Sequence, residues 1–194
     1  MTSPLKVCVY CGSQSGNGEA YLQSAIDMGA LCASEGWALV YGGGRVGLMG
    51  ATADAALKGG APVIGIIPQD LHDREVAHLG LTELHITKSM HERQMMMARM
   101  GDAFIMLPGG FGTLAEFFEI LTWRQLRFHL KPVILVNIGG YWDTLLEMLK
   151  QVHAEGFLHS FAPDLFHVVD AVEQIPEILA KFPPPVQTVK TEKM

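Results

Sequence analysis

The sequence is poor in cysteine and has no excess of positive charge. Its 194 residues include only three cysteines, Cys8, Cys11 and Cys32, too few for the disulfide framework of a small secreted domain. Because Cys8 lies inside the apolar run "VCVYC", we interpret the Cys8–Cys11 pair as buried thiols rather than as a redox motif. The formal net charge of −6 argues against a broad surface for nucleic acid or membrane.

Long hydrophobic runs are also missing. No apolar stretch approaches the ~18 residues that a membrane-spanning helix needs. The opening "MTSPLKVCVYCG" lacks the long apolar segment of a secretory signal. We therefore expect a cytoplasmic protein with neither a membrane nor a nucleic acid as partner. A local phosphate site is compatible with the negative charge, because backbone N–H groups hold phosphate without any net positive charge.

Short apolar runs alternate with segments of helical spacing along the chain. The runs predict strands near 6–11, 37–44, 62–68, 83–87, 102–108, 132–137 and 166–170. The spaced segments predict helices near 19–35, 47–58, 89–100, 114–128, 141–155 and 171–181. This alternation predicts an α/β fold, a Rossmann-like doubly wound, mostly parallel sheet with helices on both faces. We expect a single domain over 1–182, followed by a flexible proline-rich tail, 183–194.

Loops rich in small residues follow three of the predicted strands: "CGSQSGNG", "YGGGRVGLMG" and "LPGGFGT". Ligands of open α/β sheets bind at the carboxyl ends of the strands, near the point where the strand order reverses. All three loops are expected at that edge, which predicts a nucleotide site there. The further nucleotide contacts that this predicts are Gly12, Ser13, Gly43 and Gly44.

The second of these loops has the form of a dinucleotide fingerprint. Gly42, Gly44 and Gly47 fit G-x-G-x-x-G between a strand and a helix. A complete NAD site also needs an acidic residue at the end of the next strand, but that strand ends in Pro68 and Gln69. We interpret the loop as backbone that approaches a nucleotide, with a tight structural turn as the alternative.

The third loop has two interpretations from spacing alone. In "LPGGFGTLAEFFE" the glycines let the backbone approach an anion, and the helix that follows presents free N–H groups. Thr113 and Glu116 also fit a T-x-x-E capping box, which would make both structural. Ser89 and Glu92 form a similar box upstream, and Arg93 lies in the second turn of that helix, within reach of the same cleft.

Two segments together carry a family pattern. "MHERQ" and "PGGFGTLAE" resemble the M-H-x-R-K and P-G-G-x-G-T-x-x-E motifs of the Lonely Guy family, the cytokinin riboside 5′-monophosphate phosphoribohydrolases, which are often mislabelled as lysine decarboxylases. The resemblance covers most of the chain, from "VCVYCGS" to "GYWDTLL". It implies a Rossmann-like homodimer that hydrolyses the N-glycosidic bond of adenosine 5′-monophosphates, N6-modified or not. The products are the free base (cytokinin or adenine) and ribose 5-phosphate.

The resemblance also assigns roles to particular residues. Arg93 and Glu116 match the catalytic pair of the family. The positions that match its substrate-binding residues are Glu75, Arg93, Gln94, Gly109, Gly110, Phe111, Gly112, Thr113, Leu114, Ala115 and Thr122. We expect no metal and no cofactor.

Two residues depart from the family pattern. Gln94 stands where a lysine is usual, and Ala115 stands where an acidic residue is common. Gln94 keeps a hydrogen-bonding group but loses a positive charge, which bears on phosphate affinity and on the preferred base.

Other functions remain open on the same fold. A non-catalytic nucleotide or cofactor carrier, resembling the molybdenum-cofactor carriers, would bind without releasing a base. A pyridoxal-phosphate decarboxylase would need a lysine in these loops, and the nearest is Lys88, at the end of a strand.

Overall fold

The alternation of strands and helices predicted from the sequence is present in the computed structural model, which describes residues 4–73, 77–158 and 164–183. The strands are β1 Lys6–Tyr10, β2 Ala38–Tyr41, β3 Val63–Pro68, β4 Glu83–Thr87, β5 Ala103–Met106, β6 Val133–Val136 and β7 His167–Val169. The helices are α1 Glu19–Ser34, α2 Gly47–Lys58, the short turn α3 Gln69–Leu71, α4 Met90–Met100, α5 Phe111–Gln125, α6 Asp143–Ala154 and α7 Ile175–Leu179. Of the predicted tail, residues 184–194 lie outside the described residues.

The strands form one parallel sheet in the order β4-β3-β2-β1-β5-β6-β7. The chain runs outward from β1 to β4 on one side, then returns to place β5 on the other side of β1. The strand order therefore reverses between β1 and β5, which is the switch point where ligands of this fold bind. The Rossmann-like, doubly wound prediction is confirmed.

Alternate side chains of each strand bury into separate cores on the two faces. On β1, Val7 and Val9 pack with residues of α1, α2 and α7, whereas Cys8 and Tyr10 pack with residues of α4, α5 and α6. This two-residue period is the expected consequence of strand geometry. The layer of α4, α5 and α6 is the one that carries both predicted catalytic residues.

The start of α5 differs from the prediction. We expected a helix from about residue 114 with Thr113 as its N-cap, but the helix begins at Phe111 and its N-cap is Gly110. The two glycines before it supply the extended cap, so Thr113 falls inside the first turn. The proposed Thr113–Glu116 capping box is therefore wrong, and Glu116 is free of that structural role. Within the described residues, no helix combines the length and apolar character needed to cross a membrane.

Candidate active site

The loops after β1 and β5 touch each other at the switch point. The Gly12 N–H donates to the Pro108 carbonyl at 3.0 Å. A Cβ on Gly109 would lie 2.9 Å from the Gly12 nitrogen and would overlap the Thr113 hydroxyl. Only a glycine fits at Gly109, because the Thr113 side chain fills the space where another side chain would stand. The contact brings the two predicted glycine loops into one surface.

The N-terminus of α2, the helix that follows the fingerprint-like loop, is blocked to anions by another loop. Two N–H groups of its first turn, on Leu48 and Met49, donate to the Gly12 carbonyl at 3.1 and 3.3 Å. In a dinucleotide site these donors would face the pyrophosphate. Here a protein carbonyl occupies that position, so the G-x-G-x-x-G spacing marks packing between two loops rather than an NAD site.

The N-terminus of α5, the helix that follows the third glycine loop, is open. Its N-cap, Gly110, makes no side-chain hydrogen bond, and the first intrahelical bond runs from the Leu114 N–H to the Gly110 carbonyl. Within the described parts of the chain, the N–H groups of Phe111, Gly112 and Thr113 have no protein acceptor. Free N–H groups and the positive end of the helix dipole together form a binding site for an anion.

Arg93 reaches this edge of the sheet from α4. Its Nε donates to the Ile66 carbonyl at 3.1 Å, and its Nη1 lies 3.1 Å from the sulfur of Met90 and 3.3 Å from Oε1 of Glu116. The bond to β3 fixes the plane of the guanidinium, because Nε and Nη1 belong to one rigid group. The predicted catalytic residues are thus an ion pair between two helices, held in place from the sheet.

Gly42, at the end of β2, gives Arg93 its space. A Cβ at this position would overlap the Arg93 Nη2 and would lie 3.2 Å from the sulfur of Met49. The first glycine of "YGGG" is therefore required by the close approach of a side chain rather than by a ligand.

Glu116 is a buried carboxyl with a strongly perturbed pKa. Its side chain is 8% exposed, and that of Arg93 is 12% exposed. Burial raises the pKa of Glu116 from 4.5 to about 7, although the Arg93 charge acts in the opposite direction and Glu119 adds a smaller increase. A carboxyl with this pKa exchanges a proton near neutral pH, as a general base must.

Other titratable groups surround the carboxyl. Burial raises the pKa of Glu119, one turn further along α5, while the nearby His91 lowers it. Beneath Glu116, on β1, burial raises the pKa of Tyr10, and the neighbouring Cys8 and Glu116 charges add to that increase. Tyr10 on β1 is therefore neutral, and the charged groups around Glu116 lie on α4 and α5.

The upstream cap is present, although the Glu92 carboxylate pairs with the residue before the N-cap and not with Ser89 itself. The Glu92 N–H donates to the Ser89 hydroxyl at 3.2 Å, and the Glu92 carboxylate accepts from the Lys88 N–H at 2.7 Å. This cap begins α4 one turn before Arg93, so Glu92 has the structural role that its spacing predicts.

The remaining predicted residues differ in their exposure and in their distance from Glu116. Phe111 is 93% exposed and Thr113 is buried, while Gln94 and Leu114 are half-buried and Gly112 and Ala115 are exposed. Thr122 lies apart, because it is six residues beyond Glu116 on α5, roughly 9 Å along the helix axis, and its hydroxyl donates to the Phe118 carbonyl. Ser13, Gly43 and Gly44 belong to the loops after β1 and β2, and Glu75 lies outside the described residues.

Sequence reasoning missed two residues of this region, Gly42 as the space for Arg93 and Tyr141. The Tyr141 hydroxyl donates to the Gly109 carbonyl at 2.7 Å. The triple glycine and the resemblance at "GYWDTLL" drew attention to both segments. Neither pattern indicates which distant atom the residue contacts. Across the described ranges, no group of three or more His, Cys, Asp or Glu side chains is arranged to hold a metal ion.

Comparison with known proteins places this chain in a family. A family model described as "possible lysine decarboxylase" matches residues 49–179. A cytokinin riboside 5′-monophosphate phosphoribohydrolase of Rhodococcoides fascians is 49% identical over 157 residues, which cover 80% of this chain and 79% of the relative. The chain belongs to the Lonely Guy family. A member of the family from Arabidopsis thaliana is 42% identical over 176 residues, with 91% of this chain and 81% of the relative covered.

Solved structures support the fold. The molybdenum cofactor binding protein of Rippkaea orientalis matches with a TM-score of 0.71 and 23% identity, over 93% of this chain and 98% of that chain. The molybdenum cofactor carrier protein of Chlamydomonas matches with a TM-score of 0.70 and 20% identity, over 93% and 98%. At these identities the likeness concerns the fold alone.

Two lysines bear on the decarboxylase description of the family model. Lys88 is exposed at the end of β4. The Lys131 ammonium donates to the Ala98 carbonyl at 2.8 Å and lies over the Phe104 ring, just before β6 begins. β6 begins at the edge of the sheet opposite the site, so Lys131 does not support the decarboxylase description of the family model.

Proposed function

We propose that this protein hydrolyses the N-glycosidic bond of adenosine 5′-monophosphates, N6-modified or not, and releases the free base and ribose 5-phosphate. One observation carries the proposal: the buried Arg93–Glu116 pair lies beside an open helix N-terminus at the switch point of the sheet. The names of its Lonely Guy relatives describe this reaction on cytokinin riboside 5′-monophosphates.

The open N-terminus of α5 is the proposed phosphate site. The N–H groups of Phe111, Gly112 and Thr113 have no acceptor in the described residues, and a 5′-phosphate supplies three oxygens. Binding a group that does not react holds the ribose in place for the step that does. The positive charge of the family's lysine is absent at Gln94, so backbone donors would carry most of the phosphate binding.

Glu116 is the proposed acid–base and charge-stabilising group. Cleavage of the C1′–N bond leaves positive charge on the ribose, and a carboxylate beside it stabilises that charge. The same carboxylate takes a proton from the attacking water, whose oxygen bonds to C1′. The departing base keeps the electrons of the broken bond and takes up a proton. The positive charge of Arg93 lowers the pKa of Glu116 and so favours the carboxylate, and the ion pair fixes the position of that carboxylate.

The test is to incubate the protein with AMP and with its N6-isopentenyl analogue, and to measure free base and ribose 5-phosphate by chromatography. Adenosine, which lacks the phosphate, is the matched control substrate. We expect base from both monophosphates and little from adenosine. A protein that binds the monophosphates but releases no base would instead be a carrier, which is the alternative function on this fold.

We also propose that the enzyme works as a homodimer in the cytoplasm. Phe111, Phe118 and Thr122 recur at spacings of seven and four residues and form one line on α5, and Phe111 is 93% exposed. Beside this line, an apolar groove of about 430 Å³ runs between α5 and α6, lined in part by Leu114 and Leu145. Exposed apolar surface of this kind is typical of a contact with another protein, and a second copy is the partner that the resemblance implies.

Sedimentation equilibrium tests the dimer. Phe118→Glu places a charge in the middle of the line and should yield a monomer. Phe157→Glu is the matched control, because Phe157 is 81% exposed but lies beyond the end of α6. A wild-type protein that sediments as a monomer at all concentrations would contradict this proposal without affecting the proposed reaction.

A further inference from the structure

A tyrosine from a distant segment holds the phosphate-binding loop. Tyr141 follows a turn of 3-10 helix after β6, whereas Gly109 precedes α5, 32 residues earlier. The Tyr141 hydroxyl donates to the Gly109 carbonyl at 2.7 Å. This is the hydrogen bond that ties the open end of α5 to the α6 segment.

The Gly109 carbonyl and the Gly110 N–H belong to the same peptide group. That group is planar and trans, so its carbonyl and its N–H point in opposite directions. A peptide between two glycines rotates easily, because neither residue has a Cβ to restrict the dihedral angles on either side. Rotation by half a turn would place a carbonyl oxygen where the N–H had been, and an oxygen repels phosphate.

We propose that Tyr141 is a positioning residue that locks the Gly109–Gly110 peptide in its anion-binding orientation. The inference rests on the proposed function of the α5 N-terminus as the phosphate site. The hydroxyl holds the carbonyl on the α6 side, so the Gly110 N–H faces away from that side. Within the described parts of the chain no acceptor holds the Gly110 N–H, and it adds a fourth donor to those of Phe111, Gly112 and Thr113.

The ring of Tyr141 is itself firmly placed. It meets the Tyr21 ring edge-on with centroids 5.4 Å apart and the Trp142 ring with centroids 4.6 Å apart. The backbone N–H of Trp142 donates to the Asn137 side chain at 2.7 Å, and the Asn137 side-chain amide donates to Asp143 at 2.8 Å. The hydroxyl is therefore positioned by the body of the protein and not by the loop that it holds.

Tyr141 acts through the backbone, so its loss should affect phosphate binding and not the chemical step. In Tyr141→Phe the ring contacts remain and only the hydroxyl is removed. We expect the KM for AMP to rise about tenfold, the size of effect that follows from one lost hydrogen bond, with kcat within about twofold of wild type. The dissociation constant of ribose 5-phosphate, measured by calorimetry, should rise by a similar factor.

Tyr21→Phe is the matched control. Tyr21 belongs to the same aromatic cluster, but its hydroxyl makes no hydrogen bond to the described residues. We expect this variant to bind ribose 5-phosphate as the wild type does. Thermal unfolding of both variants, within a few degrees of wild type, establishes that the ring packing is intact.

The results separate this inference from the proposed reaction. If Tyr141→Phe binds ribose 5-phosphate as tightly as the wild type, the positioning role is wrong, whatever the enzyme hydrolyses. If Tyr141→Phe loses this affinity while Tyr21→Phe keeps it, the positioning role is supported even for a protein that releases no base. A wild-type protein with no affinity for ribose 5-phosphate would overturn the inference outright.

Discussion

The guanidinium of Arg93 occupies the space that a side chain on Gly42 would fill. The two residues come from α4 and from the end of β2, which lie 51 positions apart in the chain (93 − 42). Gly42 makes no polar contact with Arg93, yet the ion pair of Arg93 with Glu116, at 3.3 Å, requires it. A glycine whose spacing fits a nucleotide loop therefore makes room for one member of the predicted catalytic pair.

Gly42→Ala should reduce the rate of base release by at least about tenfold while leaving the fold intact. The backbone at Gly42 suits any residue, but the added methyl group forces the guanidinium away from Glu116. The measurement is kcat with AMP in a double-mutant cycle with Arg93→Ala. The alanine at position 42 should cost nothing further once Arg93 has been removed, and independent, additive losses would contradict the proposed contact.

The pH dependence of turnover should report the Glu116 carboxyl. Its pKa is about 7, and the carboxylate is the proposed active form, so kcat should rise with pH through about 7 and then level off. Because the Arg93 charge lowers this pKa, Arg93→Ala should move the carboxyl titration to higher pH, which NMR of the labelled side chain measures. A pH profile that is flat between about pH 5 and 9 would exclude Glu116 as the proton acceptor.

Glu116→Gln should abolish most turnover and increase stability at high pH. A carboxyl whose pKa rises from 4.5 to about 7 on folding binds more protons in the native state between those values, so stability falls as pH rises through that window. The loss is about 3 kcal/mol once both states are ionised. Thermal unfolding should therefore give the variant a higher Tm than wild type near pH 8, with little difference near pH 4.5. Equal Tm values at both pH values would mean that the native carboxyl titrates normally.

The three cysteines should not react with a thiol reagent in the folded protein. Cys8, Cys11 and Cys32 are free and buried, and burial raises the pKa of the Cys8 and Cys32 thiols to about 12. Thiolate is the reactive form, so a thiol reagent should modify none of the three without denaturant and all three in its presence. Rapid modification of the native protein would show that the structure around one of these cysteines opens readily.

Local patterns in the sequence predicted the elements well. Apart from the short turn α3, which was not predicted, the strands and helices lie within a few residues of their predicted bounds because apolar runs and helical spacing record burial directly. The Ser89–Glu92 cap was predicted because all of its partners lie within five residues. The predicted cap of α5 was wrong although it rested on the same kind of local rule. Thr113 satisfies that rule, but two preceding glycines begin the helix earlier.

The sequence by itself determined the parallel α/β architecture, the edge of the sheet that carries the glycine loops, and the pairing of Arg93 with Glu116 through a family motif. The tertiary structure decided which helix end is free. The Gly12 carbonyl closes α2, and the end of α5 stays open. The tertiary structure also decided the roles of Gly42 and Tyr141, because each contacts an atom many residues away in the chain. Such contacts depend on the sheet order that brings β1, β2 and β5 together, and spacing along the chain carries no record of them.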